Sequence, residues 1–350
     1  MIHVGLIGYG YAGRIFHLPL IRATPGFLVT TIASSRADEL KTNYPGISVV
    51  ADPSDLVRSD AVDLVVVASP NDSHAHWALA ALDAGKHVVV EKPFALSLAE
   101  ARTLTARADH ADRMLAVFHN RRWDSDFLSV RAAIEAGRVG RVAHFETHFD
   151  RFRPQVRQRW REQAVAGAGI WYDLAPHLVD QVLQLFGLPD AVEANLAMLR
   201  HSASVDDWAH ALLHYPGHRV VIHASMLVAG GSPRFIVHGD NGSLVKRLPD
   251  QQEAQLLAGI VPDSAEWGHD PDDLYVWSPE GLQQRVATIP GDQRGFYRAV
   301  GAAIRRESPN PVPGHQSLAV MAVIEAGLLA SATGHSMPLG LSDEERAAWG

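Results

Sequence analysis

The chain of 350 residues contains no cysteine. This absence excludes disulfides, cysteine nucleophiles, thiolate zinc sites and iron–sulfur clusters, and it favours a reducing, cytoplasmic compartment. Basic residues are also few, with Lys and Arg totalling 31 against 39 Asp and Glu. The net charge of −8 predicts that the protein binds neither nucleic acid nor anionic membranes. No apolar run approaches membrane-spanning length, so no membrane partner is expected.

Residues 1–120 alternate short β-branched runs with helical stretches, which is typical of a parallel sheet covered on both faces. The start of the chain reads as the first strand and not as a signal peptide. Strands are predicted at about 2–7, 28–33, 47–50, 62–68, 87–90 and 114–118. The nearly continuous apolar runs at 62–68 and 87–90 indicate strands buried on both faces. We therefore expect an α/β Rossmann domain, a doubly wound parallel sheet, over residues 1–120.

The pattern changes beyond residue 120, after a helix predicted near 125–136. Residues 141–150 alternate apolar with polar side chains, as in a half-exposed strand. Further strands are predicted at about 191–200, 207–215, 218–228 and 234–238, with turn residues at 215–218 and 239–242. Helices near 293–306 and 316–333 follow a Pro/Gly/Asp-rich stretch, 262–292, of uncertain structure. Residues 121–350 thus predict an α+β domain with a mostly antiparallel open sheet, whose exposed face is a candidate oligomerisation surface.

A G-x-G-x-x-G motif lies between the first predicted strand and a helical run. It consists of Gly8, Tyr9, Gly10, Tyr11, Ala12 and Gly13. Glycines at these positions permit a tight turn and close backbone approach to a pyrophosphate, whose charge the helix N-terminus holds. A purely structural turn is the alternative, but the strand–helix context favours dinucleotide binding.

The second predicted strand ends in Ser34, Ser35 and Arg36, where an NAD site usually offers a carboxylate to the ribose. No carboxylate follows until Asp38. Two hydroxyls and a guanidinium suit a 2′-phosphate, so NADP is the preferred cofactor and NAD stays open. In the alternative, the serines cap the next helix and Arg36 is solvated.

Two triplets follow the fourth and fifth predicted strands, at the edge where this fold binds its ligands. They are Ser69, Pro70 and Asn71, and Glu91, Lys92 and Pro93. Lys92 at this edge can donate to a developing alkoxide, although a surface lysine paired with Glu91 is the alternative. The bond before Pro93 is a candidate for the cis form.

Residues 167–180 form the other informative stretch. On a helix, His177, Asp180 and Gln184 share one stripe opposite an apolar face, which predicts a cleft or solvent beside them. Pro176 is expected in the first turn, placing Asp173 at or before the helix start. Asp173 as a simple cap and His177 as a surface residue remain the alternative.

The glycine motif, the Glu91–Pro93 triplet and residues 167–180 together resemble the Gfo/Idh/MocA family of sugar and cyclitol oxidoreductases, over nearly the whole chain. The stretches 119–124, 153–154, 159–161 and 267–268 resemble the subgroup with NADP-dependent scyllo-inositol dehydrogenases. One departure is Ala175, followed by Pro176, where the family usually has glycine. It predicts a changed substrate pocket with intact chemistry.

The resemblance implies that Lys92 is the catalytic lysine, Asp173 the substrate-side aspartate and His177 the acid/base. It implies a nicotinamide neighbourhood formed by Ser69, Asn71, His74, Glu91 and Asn120, and a pair that approaches the cofactor, Trp160 and Arg161. It also implies that residues 121–350 form the substrate-binding and oligomerisation domain and that the last two helices pack back near the first domain.

Two features suggest other partners. The arginines at 151, 153, 157, 159 and 161 hint at nucleic acid, but a loop over a phosphorylated cofactor fits the acidic chain better. The 19 histidines show no metal-ligand constellation, so no metal is expected.

The sequence therefore predicts a cytoplasmic NAD(P)-dependent dehydrogenase that acts on the CH–OH group of a cyclic polyol, scyllo-inositol or its keto form, as a homodimer or homotetramer. The alternatives are an aldose or anhydro-sugar dehydrogenase or reductase, and a non-catalytic dinucleotide-sensing regulator.

Overall fold

The computed structural model describes residues 1–349, and the chain divides into two compact units. The first unit contains residues 1–120, 252–267 and 292–318. The second contains residues 121–251, 268–291 and the described residues from 319 onward. Two segments of the first unit thus lie beyond residue 120, where the sequence-based division was drawn.

The helices are numbered along the chain. They are α1 (Leu18–Arg22), α2 (Ala37–Asn43), α3 (Pro53–Arg58), α4 (His74–Asp83), α5 (Leu98–Ala111), α6 (Ser125–Glu135), α7 (Ile170–Phe186), α8 (Gln252–Leu257), α9 (Arg294–Ile304), α10 (Gly314–Thr333) and α11 (Asp343–Trp349). A π-helical segment, Ala12–His17, leads into α1.

The first unit is built on a six-stranded parallel sheet. Its strands are β1 (Ile2–Ile7), β2 (Phe27–Ala33), β3 (Ser48–Val50), β4 (Leu64–Val67), β5 (His87–Val90) and β6 (Leu115–Val117). Their order, β3-β2-β1-β4-β5-β6, confirms the predicted doubly wound sheet. The order reverses between β1 and β4, so the carboxyl ends of these strands border the ligand crevice of the fold.

The second unit is built on a nine-stranded sheet. Its strands are β7 (Val142–Asp150), β8 (Ala191–Ala197), β9 (Trp208–His214), β10 (Arg219–Ser225), β11 (Phe235–Gly239), β12 (Gly242–Lys246), β13 (Leu274–Trp277), β14 (Gln283–Val286) and β15 (Met337–Pro338). Their order is β14-β13-β12-β11-β7-β10-β9-β8-β15, antiparallel except for the parallel pair β7–β10. The mostly antiparallel sheet is confirmed, while β12 to β15 were not predicted.

Helix α7 packs on β7, β9 and β10 and so covers one face of this sheet. The alternation of β7 buries Phe145 and Thr147, and the Phe145 ring lies 5.2 Å from the ring of Phe186 on α7. The other β7 face carries His144, Glu146 and His148, whose side chains are partly exposed. The expected half-exposed strand is present.

Helix α10 corrects the expectation that no apolar run approaches membrane-spanning length. Within residues 1–349, this is the one helix long and apolar enough by length and composition to cross a membrane. Much of it is buried, 61% over the window in question, which is also the behaviour of a core helix.

Candidate active site

The glycine motif forms the tight turn between β1 and the Ala12–His17 segment. Gly8 has φ +98°, and a Cβ there would lie 2.6 Å from the carbonyl oxygen of Ala68. A Cβ on Gly13 would lie 2.2 Å from the carbonyl oxygen of Gly8. By contrast, a Cβ on Gly10 would meet no heavy atom within 4 Å. Gly8 and Gly13 are therefore required by the turn itself, whereas Gly10 leaves open space that fits an approaching pyrophosphate.

The side chains between the glycines hold the turn from two sides. Tyr9 is buried, and burial, with a further contribution from Tyr44, raises its pKa to about 12. Tyr11 is half-exposed, and its hydroxyl donates to Glu253 Oε1 on α8 over 2.8 Å. The segment of the first unit that starts at residue 252 thus braces the glycine motif.

The residues predicted to select the ribose follow β2. The Ser34 hydroxyl accepts a hydrogen bond from the Arg36 amide at 3.0 Å, and Ser35 is exposed. The Arg36 guanidinium lies 3.6 Å from Glu39 and keeps about half of its side chain exposed, at 51%. The ion pair of Arg36 with Glu39 is therefore a weak surface pair, and the guanidinium stays accessible to a phosphate.

His74 connects Ser69, after β4, with Pro93, in the loop after β5. Its Nδ1 lies 2.8 Å from the Pro93 carbonyl oxygen and its Nε2 3.0 Å from the Ser69 carbonyl oxygen. Burial lowers the pKa of His74, which favours the neutral ring that donates to one carbonyl at a time. Asn71 and Asn120, which follow β4 and β6 along the chain, are buried, and Pro70 is exposed.

Lys92 stands in the loop after β5, half-buried and followed by a cis bond to Pro93, as the sequence suggested. The Glu91 carboxylate accepts a hydrogen bond from the Lys92 amide at 2.9 Å. Burial raises the pKa of Glu91, but the hydrogen bond and charge of His17, together with Lys92, outweigh burial and leave that pKa below its usual value. An ionised carboxylate therefore lies beside Lys92.

Helix α7 carries the remaining candidate residues, and Asp206 fixes where it begins. The Asp206 carboxylate accepts from the Trp171 amide and its carbonyl from the Ile170 amide, both at 2.8 Å. Gly169 precedes the helix at φ +96°, where a Cβ would lie 2.1 Å from Asp206 Oδ1. Sequence reasoning missed Asp206, because nothing local marks a cap supplied 35 residues away.

The predicted helix start is wrong. Helix α7 begins at Ile170 and contains Pro176, so Asp173 lies inside its first turn. A proline inside a helix costs about 3 kcal/mol, because its missing N–H leaves one helical hydrogen bond unmade. Burial of most of α7 offsets that cost. Asp173 and His177 consequently lie four residues apart on one face.

The structure brings Trp160 and Arg161 to Asp173. Arg161 Nε lies 3.4 Å from Asp173 Oδ1, and its guanidinium lies 4.5 Å above the Trp160 ring. His177 is largely buried, with 8% of its surface exposed. This cluster offers a cation, a carboxylate and an imidazole in one small region of the second unit.

The predicted polar stripe on α7 faces no solvent at Asp180. Its carboxylate makes a bidentate ion pair with Arg122, with Nε–Oδ2 at 2.9 Å and Nη2–Oδ1 at 2.6 Å. Both side chains are buried. The stripe is polar at Asp180 because this carboxylate pairs with a buried arginine. The prediction of a cleft along the whole stripe is therefore wrong.

Two arginines of the arginine-rich segment form ion pairs, Arg159 with Glu162 and Arg161 with Asp173. Glu162 lies 2.7 Å from Arg159 and 3.1 Å from Arg200, and Arg200 also pairs with Asp207 at 2.8 Å.

Among residues 1–349, no group of three or more His, Asp or Glu side chains is arranged to hold a metal ion.

The candidate residues thus fall into two sets. The first unit holds those for a dinucleotide and the lysine: Gly8 to Gly13, Ser34 to Arg36, Ser69 to Asn71, His74, Glu91, Lys92 and Asn120. The second unit holds Trp160, Arg161, Asp173 and His177. The first set suits cofactor binding, and the second can hold hydroxyl groups and move a proton.

Comparison with known proteins agrees with this division. Residues 2–119 match the model of an oxidoreductase family described as an NAD-binding Rossmann fold, and residues 131–339 match its C-terminal alpha/beta domain.

The chain is 49% identical over 330 residues to YdgJ, an uncharacterized oxidoreductase of Escherichia coli K12, covering 93% of this chain and 95% of YdgJ. It is 35% identical over 335 residues to the scyllo-inositol 2-dehydrogenase (NADP(+)) IolW of Bacillus subtilis, covering 94% of each. A crystal structure of a candidate oxidoreductase from Klebsiella pneumoniae superposes with a TM-score of 0.94 at 51% identity, over 99% of this chain and 98% of that one. The chain belongs to the Gfo/Idh/MocA oxidoreductase family and carries its NAD-binding Rossmann domain.

Proposed function

We propose that the protein is an NADP-preferring dehydrogenase that oxidises one secondary hydroxyl of a cyclic polyol, or reduces the corresponding ketone. The observation that carries this proposal is the cluster on α7, where Asp173 and His177 lie one turn apart and Arg161 pairs with Asp173. A polyol is recognised by several directed hydrogen bonds, and this cluster supplies both donors and acceptors. The 35% identity to IolW, a scyllo-inositol 2-dehydrogenase (NADP(+)), supports the cyclitol and NADP assignments.

In this proposal, the residues of the first unit would hold a nicotinamide dinucleotide, which would supply the hydride acceptor for the substrate carbon. His177 takes the proton of the reacting hydroxyl, and the Lys92 ammonium stabilises the oxygen as negative charge develops on it. Asp173 accepts a hydrogen bond from a neighbouring substrate hydroxyl. The open space at Gly10 would receive the pyrophosphate of such a cofactor, and Arg36 would pair with its 2′-phosphate.

The test is an absorbance assay of the purified protein with NADP and NAD against inositols, aldoses and anhydro-sugars. Lys92→Ala and His177→Ala should each lower kcat by roughly 10²–10⁴-fold while the Kd for NADPH changes little. Lys41→Ala and His110→Ala, at exposed positions, are the matched controls. Near-wild-type turnover in both active-site variants refutes the roles of Lys92 and His177. Tight NADPH binding without oxidation of any compound favours the regulatory alternative.

The proposal includes a homodimer or homotetramer in the cytoplasm. The open face of the second-unit sheet, with the partly exposed His144, Glu146 and His148, supports such self-association. Sedimentation equilibrium of the purified protein tests the oligomer, and a single monomeric species contradicts it. Cell fractionation tests the location.

A further inference from the structure

A chain of buried hydrogen bonds leads to Lys92 from a helix far along the sequence. His17 is fully buried, and its Nδ1 lies 2.5 Å from the hydroxyl of Tyr297 on α9. Its Nε2 lies 3.1 Å from Glu91 Oε1. The other Glu91 oxygen accepts from the Lys92 amide at 2.9 Å. All four residues belong to the first unit.

The charge of Glu91 sets the direction of the hydrogen bond at that end of the chain. The ionised Glu91 can only accept, so His17 Nε2 carries the proton and donates it. His17 Nδ1 is hydrogen-bonded to the Tyr297 hydroxyl on the other side of the ring. Burial, with a further contribution from the Glu91 charge, raises the pKa of Tyr297 well above its usual value, so the hydroxyl keeps its proton. The hydrogen bonds therefore join Tyr297, His17 and Glu91 in one continuous buried chain.

Packing around the chain keeps water and other rotamers out. The His17 ring lies 4.2 Å from the Phe118 ring, and Tyr297 packs against the rings of Phe27 and Phe296. His17 and Tyr297 are both fully buried. Hydrogen bonds in such a low-dielectric interior polarise one another, and leaving one unmade is costly. The carboxylate of Glu91 therefore has one strongly preferred position.

The same chain connects the dinucleotide half of the site to the lysine. His17 ends the helical segment that follows the glycine motif, and Glu91 is the residue directly before Lys92. A shift of this segment would therefore move His17 and, through the Glu91 carboxylate, the Lys92 backbone.

We propose that Tyr297 and His17 are positioning residues for Lys92: they hold the Glu91 carboxylate in one orientation, and Glu91 in turn fixes the Lys92 backbone. The inference rests on the proposed function, in which Lys92 meets the substrate. A positioning role lowers kcat and loosens the Lys92 amide, whereas a role in packing alone lowers stability without either effect.

The test variant is Tyr297→Phe, which removes only the hydroxyl. We expect kcat to fall roughly five- to tenfold, with KM and the Kd for NADPH within about twofold of wild type. The matched control is Tyr215→Phe, because Tyr215 is also buried and its hydroxyl donates to the Gly187 carbonyl at 3.0 Å in the second unit. Tyr215→Phe should leave kcat unchanged. An equal loss of kcat in both variants, or no loss in Tyr297→Phe, overturns the proposal.

A second readout needs no substrate. Hydrogen exchange of the Lys92 amide, followed by NMR, should become roughly tenfold faster in Tyr297→Phe, while that of Val88 within β5 stays at the wild-type rate. Unchanged exchange at Lys92 overturns the positioning role, whatever the activity. A wild-type protein that oxidises no compound, but whose Lys92 amide responds to Tyr297→Phe, refutes the dehydrogenase assignment and retains the hydrogen-bonded chain.

Discussion

Replacing Gly10 with alanine should separate cofactor binding from folding. The added methyl group would meet no protein atom within 4 Å, and Gly10 has no positive φ. At such a position, alanine stabilises the folded state by about 0.4–1 kcal/mol, because it restricts the unfolded chain. The variant should therefore unfold at the same temperature as wild type or slightly above it.

The same methyl group would fill the space through which a pyrophosphate reaches the backbone amides. Losing one hydrogen bond to a charged group costs about 1.5–3 kcal/mol. That cost corresponds to a roughly 10- to 150-fold weaker Kd for NADPH.

Two other glycine-to-alanine variants serve as controls. Gly46→Ala also adds a methyl in open space within the first unit and should leave the Kd unchanged. Gly13→Ala would place its Cβ 2.2 Å from the Gly8 carbonyl oxygen, and should destabilise the fold by about 1–3 kcal/mol.

Fluorescence titration with NADPH measures the Kd, and differential scanning calorimetry measures the unfolding temperature. If Gly10→Ala binds NADPH as tightly as wild type, the open space at Gly10 is not where the pyrophosphate binds. A large drop in its unfolding temperature would also refute the reasoning, since it would mean that the methyl group meets the protein itself.

Three further predictions concern charged side chains. Arg36→Ala should lower kcat/KM for NADP roughly tenfold and leave kcat/KM for NAD unchanged. The effect is only about tenfold because the guanidinium is exposed and its contact with a phosphate is partly screened, and equal effects on both cofactors would refute the role of Arg36. Asp180→Ala leaves Arg122 buried without its carboxylate and should lower the free energy of unfolding in urea by about 3–5 kcal/mol, and a loss below about 1 kcal/mol would contradict this. Burial lowers the pKa of His148, but the hydrogen bonds and charges of Asp150 and Glu146 outweigh burial, so this pKa is raised above its ordinary value of 6.5. Protonated His148 therefore stabilises the fold fully below pH 6.5, and this stabilisation is lost as the pH rises through the pKa of the folded state. The gap in unfolding temperature between wild type and His148→Gln should therefore shrink from about pH 5.5 to about pH 8.5, and a constant gap would show that protonated His148 does not stabilise the fold.

The first sheet is predictable because its signals are local. Buried strands such as β4 are continuous apolar runs, and the glycine motif marks one turn between one strand and one helix. The tight turn between β11 and β12 is likewise visible in the sequence at 239–242. The parallel pairing of β7 with β10 is not visible in the sequence, because β10 begins 69 residues after β7 ends and no local pattern specifies this pair. Strands β13 and β14 lie in a stretch whose Pro, Gly and Asp residues mask them.

The candidate site shows the same division. Periodicity places Asp173 and His177 on one face of a helix, but it does not distinguish a polar side chain that faces solvent from one that meets a buried arginine, as Asp180 does. The N-terminal limit of α7 depends on Asp206, a residue from a distant loop. The pairing of His17 with Tyr297 spans 280 residues, and nothing in the sequence around either residue indicates the other.

The three-segment composition of the first unit has a consequence for how the protein is made. His17 and Phe118 leave the ribosome early, but α9, which supplies Tyr297, is synthesised much later. At about 5–20 residues per second, the 280 residues between His17 and Tyr297 take about 15–60 s to translate. Throughout that interval the apolar surface that α9 covers stays exposed, and transiently exposed surface of this kind is prone to aggregation. A fragment ending at residue 120 keeps that surface permanently and should aggregate on expression, so a minimal cofactor-binding protein has to include α9.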